Sequence, residues 1–129
     1  MDILLVSAQT PATERSLLER ISSERGVGIQ EAATYKKALE DLARDRFVVV
    51  ILYSFNSAGD INVTDAIRIM KQIVPELLIV AVSDEKSFES ERELRRSGLF
   101  YYLTRPFTDS ELKEALLGAI ETQVRRKAR

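Results

Sequence analysis

The run Phe47-Val48-Val49-Val50-Ile51-Leu52-Tyr53-Ser54 constrains this chain more than any other stretch. It is apolar almost to its end, β-branched at 48–51 and too short for a buried helix, so it reads as a strand covered on both faces. Asn56-Ser57-Ala58-Gly59-Asp60 follows as a loop. Strands covered on both faces belong to parallel sheets with helices above and below, where ligands gather beyond the carboxyl ends of the central strands. This strand ends at Tyr53 and Ser54, with no ordinary catalytic side chain among them.

The rest of the chain supplies the partners such a strand needs. Residues 3–6 form a second apolar run. Thr10-Pro11 then reads as an N-cap followed by proline at the first helical position. Leu17, Leu18 and Ile21 recur at helical spacing, and Gly26 stops that helix. Residues 27–33 alternate weakly and predict an edge strand. Thr34 caps a helix carried by Ala38, Leu39 and Leu42. Val63, Ala66, Ile67, Met70 and Val74 predict a third helix, which ends near Pro75. Residues 77–82 are the fourth strand. The charged segment 88–97 has little but Leu94 and Phe88 to anchor it, so it predicts a short or mobile helix. Residues 99–103 make a fifth strand, and Thr108-Asp109-Ser110-Glu111 is a capping box for a last helix bearing Leu112, Ala115, Leu116, Ala119 and Ile120. Five uninterrupted strand–helix alternations imply a three-layer α/β domain with right-handed crossovers. The reading places one domain over 1–124 and treats 125–129 as a basic tail or the start of a linker.

Composition excludes several functions. With no Cys and no His among 129 residues, there is no disulfide framework, thiol nucleophile or soft-ligand metal site. A net charge of −1 gives no overall attraction to nucleic acid. The cluster Arg125-Arg126-Lys127-Ala128-Arg129 reads either as a solvated helix end or as a lead into a missing effector domain. No stretch approaches membrane-spanning length and the N-terminus does not read as a signal peptide, so a cytoplasmic protein is expected.

The segment Gly98-Leu99-Phe100-Tyr101-Tyr102-Leu103-Thr104-Arg105-Pro106-Phe107, followed by a capped helix opening on Glu111-Leu112, resembles the end of a bacterial response-regulator receiver domain. The resemblance extends over the whole chain. It implies the CheY-like, flavodoxin-like fold, a five-stranded sheet of order 2-1-3-4-5, and a cis peptide before Pro106. It also implies a place in two-component signalling and phosphorelay. Receivers carry two acids after the first strand to hold magnesium; those positions here are Ser7 and Ala8. The phosphoacceptor aspartate aligns with Tyr53, with Ser54 as the alternative register. Ser83 matches the hydroxyl that senses the phosphoryl group, and Arg105 replaces the paired lysine. Tyr102 matches the aromatic switch.

The resemblance thus implies a degenerate pocket of Ser7, Ala8, Tyr53, Ser83 and Arg105, with no catalytic residue, metal or cofactor. Arg105 reads equally as an exposed cation before a turn proline, and Tyr102 as an outward-facing tyrosine on an edge strand. The Tyr53 ring is expected to fill part of the pocket, its hydroxyl paired with Arg105 or a backbone carbonyl. Asp60 and Asp84 are expected to stay solvated. The leading function is a pseudo-receiver that binds a protein partner, or a second copy, independently of phosphorylation. Its face would be the fourth helix, fifth strand and fifth helix, through Glu89, Arg92, Arg95, Arg96, Tyr102, Glu111, Lys113 and Glu114. The alternative is a sensor of a small anion or nucleotide in the vacated pocket. An enzyme is not expected, because no nucleophile–base pair is present.

Overall fold

The computed structural model describes residues 2–7, 9–45, 47–53, 62–83 and 88–127, with side chains of the fourth helix from residue 92 onward. Ala8, Ser54, Asp60, Asp84, the side chain of Glu89 and the chain end at 128–129 lie outside the described residues. Strands and helices alternate as β1 Asp2–Val6, α1 Ala12–Glu24, β2 Gly28–Ala32, α2 Tyr35–Arg44, β3 Phe47–Tyr53, α3 Val63–Ile73, β4 Leu78–Ser83, α4 Phe88–Arg96, β5 Tyr101–Thr104 and α5 Asp109–Lys127. The five strands form one parallel sheet in the order β2-β1-β3-β4-β5.

The pleat of β3 divides the core. Val49, Ile51 and Tyr53 face a layer built from Leu17, Leu18 and Ile21 of α1 and Leu112, Leu116 and Ile120 of α5. Val50 and Leu52 face the other layer, with Ala38 and Leu42 of α2, Ile67 and Met70 of α3, and Leu94 of α4. Successive side chains of a strand point to opposite faces, so a strand with helices on both sides must be apolar throughout. That is the physical content of the 47–53 run.

Local chemistry sets most of the boundaries. Thr34 caps α2 by accepting from the Lys37 N–H at 3.1 Å, and Asn62 caps α3 by accepting from the Thr64 N–H at 2.9 Å. Thr108 and Glu111 form the capping box reciprocally: the Glu111 N–H donates to Thr108 Oγ1, and the Thr108 N–H donates to Glu111 Oε1. After α1, Gly26 takes a φ of 68°, which glycine adopts without steric cost. The peptide between Arg105 and Pro106 is cis.

Thr10 departs from the expectation. It does not cap α1; Pro11 occupies the cap with extended backbone, and the helix starts at Ala12. The Thr10 hydroxyl instead donates to Ser7 Oγ at 2.9 Å. A serine at the end of β1 offers an acceptor within reach, and the loop closes on it.

The last helix is longer than its apolar pattern implies. α5 runs through Lys127, so Arg125, Arg126 and Lys127 form its final turn, where cations suit the helix dipole. Gln123 anchors that extension from a buried position. Its amide donates to the Val48 carbonyl at 2.7 Å and to the Glu76 carbonyl at 2.8 Å. One side chain thereby ties the end of α5 to the start of β3 and to the turn before β4.

Candidate functional site

The carboxyl ends of β1, β3, β4 and β5 bring Ser7, Tyr53, Ser83 and Arg105 to one edge of the sheet. Tyr53 closes β3 beside Val82 of β4, and its ring is wholly buried between the sheet, α1 and α5. Its hydroxyl lies 3.2 Å from Arg105 Nη2, which donates to it. A buried phenol needs such a partner.

Arg105 leaves β5 with its N–H donating to the Ser83 carbonyl at 3.1 Å. Its guanidinium carbon stands 5.8 Å from the centroid of Tyr53 and 5.1 Å from that of Phe107. A planar cation between two ring systems gains cation–π attraction that a compact ammonium would realise less well. The same Nη2 donates to Glu14 Oε1 at 2.8 Å, a charge-assisted bond. Glu14 lies in the first turn of α1. Tyr53, Arg105, Glu14 and Phe107 therefore form one connected cluster.

Ser7 is used differently. Its Oγ accepts from the Gln9 N–H at 3.1 Å and from the Thr10 hydroxyl at 2.9 Å, so it organises the turn between β1 and α1. Ser83 is buried and pairs in register with Thr104. These residues do not suit Mg²⁺, which requires several hard, mostly anionic oxygens in octahedral array. Ser7 offers a neutral hydroxyl, Tyr53 offers a phenol already held by a cation, and the carboxylate of Glu14 is paired with Arg105. Among the described residues no group of three acidic, His or Cys side chains could hold a metal.

Glu14 and Phe107 were not legible as site residues. The available signal was electrostatic: a cation at a buried strand end requires a counter-charge, and the first turn of α1 supplies an acid on the same face. Tyr102 requires a correction. Its ring is 7% exposed and packs in the core with Ala81 and Leu94, so it does not line an outer surface. The outward aromatics are its neighbours Tyr101 and Phe100.

Arg92, Arg95 and Arg96 are exposed on α4, and Glu111, Lys113 and Glu114 on α5. Position 118 of α5 faces Phe100, since a Cβ there would sit 3.7 Å from that ring. At about 100° per residue, Glu114 and Glu111 lie within about 40° of Gly118, whereas Lys113 lies about 140° away. Lys113 thus falls on the far side of the helix from Phe100.

No protein-family model matches the sequence, and no curated protein matches it. Solved structures do. A CheY-like response-regulator receiver domain protein from Methanospirillum hungatei JF-1 superposes with a TM-score of 0.79 at 20% identity, covering 97% of each chain. A Burkholderia pseudomallei response regulator solved with a phosphorylated aspartic acid gives 0.72 at 18% identity, over 97% of this chain and 72% of that one. NtrX from Brucella abortus gives 0.78 at 23% identity over 98% of this chain, which spans only 29% of NtrX. With strand order, helix placement and full-length superposition in agreement, the chain has the fold of a response-regulator receiver domain.

Proposed function

We propose that this chain is a receiver-like signalling module that acts without aspartyl phosphorylation, by binding a protein partner or a second copy through α4, β5 and α5. The observation that carries the reading is Tyr53. Where the fold would present a phosphoacceptor, a fully buried phenol stands with its hydroxyl held by Arg105. Phosphoryl transfer needs a nucleophilic oxygen and cations around the equatorial oxygens. The phenol hydroxyl is already held by Arg105, and that cation is already joined to Glu14.

The partner face would combine the arginines of α4 with Tyr101 and Phe100 and the acids Glu111 and Glu114. Mixed charge around exposed aromatics suits a specific, polar interface. The balance of charge gives no reason to expect nucleic acid as the partner. Among the described residues no helix is long and apolar enough to cross a membrane. A cytoplasmic, non-enzymatic role fits this reading, with any effector domain lying elsewhere. The second reading, a sensor of a small anion or nucleotide, rests on the cation of Arg105; the Glu14 contact weighs against it.

The test is intact mass after incubation with acetyl phosphate and Mg²⁺, alongside a beryllofluoride titration followed by amide shifts. No mass gain and no saturable shift are expected. A stoichiometric gain of one phosphoryl group, or saturable shifts centred on Tyr53, Ser83 and Arg105, would overturn the reading.

A further inference from the structure

The cation at the sheet edge is answered from within the chain. Arg105 Nη2 donates to Glu14 Oε1 at 2.8 Å and to the Tyr53 hydroxyl at 3.2 Å. From this geometry we infer that Glu14 is a built-in occupant of an oxyanion site formed by Arg105 and Tyr53. It holds that site closed to phosphate and similar tetrahedral anions.

Three features carry the inference. The pair is partly withdrawn from water: the Glu14 side chain is 14% exposed and that of Arg105 32%. Such a pair is less screened than an ordinary surface bridge, which contributes little. Second, Glu14 projects from a helix fixed by the burial of Leu17, Leu18 and Ile21, so its carboxylate is held beside Arg105 at high effective concentration. A free anion at millimolar levels must displace a partner that never diffuses away. Third, the guanidinium has supports besides Glu14. Tyr53 and Phe107 flank it, and Arg105 N–H is held by Ser83. Neutralising Glu14 therefore leaves a positioned cation rather than a loose side chain, and a positioned cation with a hydroxyl beside it is what an oxyanion needs.

The charge balance shows what this arrangement does. An approaching phosphate meets a carboxylate 2.8 Å from the guanidinium that would draw it there. Removing its charge removes the repulsion and replaces a charge-assisted acceptor with a weaker neutral one. This inference deepens the proposed phosphorylation-independent role and rests on it: an internal anion fixes the sheet edge in one charge state whatever the phosphate level outside.

The test uses the full chain and its Glu14→Gln variant, which keeps shape and hydrogen bonding but not charge. Inorganic phosphate is titrated at constant ionic strength, with sulfate as a second anion and chloride as control, and amide shifts are followed. The unaltered chain should show no saturable response to tens of millimolar phosphate. Glu14→Gln should show saturable shifts at Arg105, Thr104 and Tyr53, with affinity at least about ten-fold tighter. A Glu14→Gln chain that ignores phosphate and sulfate overturns the inference, as does an unaltered chain that binds them equally well.

A measurement on the unaltered chain alone keeps the idea refutable should the variant fold poorly. Restrained rotation should give the Arg105 guanidinium separate, slowly exchanging N–H signals; one averaged signal would show that no such pair persists. Partner binding that requires phosphorylation would instead sink the previous reading, so the two failures are distinguishable.

Discussion

Rebuilding an acidic site at this sheet edge gives a quantitative test of the alignment. The perturbation is the triple variant Ser7→Asp, Ala8→Asp, Tyr53→Asp, with Tyr53→Phe as control. Tyr53 is 0% exposed, so its replacement removes a fully buried ring. A tyrosine buries on the order of 150–250 Å², which at about 25 cal/mol per Å² corresponds to roughly 4–6 kcal/mol. Measured aromatic-to-alanine losses of about 3–5 kcal/mol agree. The metal-free triple variant should therefore lose about 4 kcal/mol, a large part of the roughly 5–15 kcal/mol typical of a domain. With a urea slope of about 2 kcal/mol per molar, the midpoint falls by about 2 M. Tyr53→Phe keeps the ring and loses only the bond from Arg105, which should cost about 1 kcal/mol.

Magnesium then separates the causes. If the three positions converge as the fold implies, Mg²⁺ binds only the folded variant and restores stability by RT ln(1 + [L]/Kd). That is about 2.7 kcal/mol at a hundred-fold excess over Kd. The assay is urea unfolding with and without Mg²⁺, monitored by circular dichroism. A metal-free triple variant with an unchanged midpoint would refute the burial argument. A midpoint that falls but ignores Mg²⁺ would show that positions 7, 8 and 53 do not form one site.

Two further changes probe the frame around the site. Gln123→Leu leaves the Val48 carbonyl without its Gln123 donor and weakens the bonding at Glu76; it should cost roughly 2–4 kcal/mol by urea unfolding and free the last turns of α5 to exchange amide protons faster. Leu94→Ala, which removes the buried leucine of α4, should cost roughly 2–5 kcal/mol, or else release α4 locally, seen as amide exchange there approaching that of an unprotected segment.

Most of the fold was legible because apolar runs and caps act locally. The 47–53 strand, Gly26, Thr34 and the Thr108–Glu111 box each carry their structural consequence in neighbouring residues. Thr10 misled because the helix begins one residue later than its pattern implies. Pro11 takes the cap position, so the Thr10 oxygen makes no cap bond and its hydroxyl donates to Ser7, three residues back. Within the site, Tyr53 and its bond to Arg105 could be anticipated, since a buried phenol and a nearby cation constrain one another. Glu14 could not, because its contact joins residues 91 apart in sequence and depends on how α1 crosses the sheet. Gln123 was hidden for the same reason: its acceptors are backbone carbonyls 47 and 75 residues distant, which leave no mark on residue type.

The two adjacent tyrosines of β5 show how far a one-residue difference reaches, and they test the proposed face. Neighbouring strand residues point to opposite sides. Tyr102 sits opposite Ala81 and turns into the layer that holds Leu94. Tyr101 sits opposite Val80 at the sheet edge, where it remains 38% exposed. Tyr102→Ser should therefore cost about 3–5 kcal/mol as the loss of a buried aromatic, whereas Tyr101→Ser should stay within about 0.5 kcal/mol of the parent. Association should reverse that order. If α4, β5 and α5 form the interface, Tyr101→Ser weakens it by removing an exposed aromatic anchor while leaving the fold intact, and such anchors dominate binding energy. Urea unfolding supplies the first comparison. Light scattering over a concentration series, or retention of a partner captured by the parent chain, supplies the second. An unchanged midpoint in Tyr102→Ser would mean the ring is not packed against α4. Undiminished association in stable Tyr101→Ser, by either assay, would move the interface away from β5.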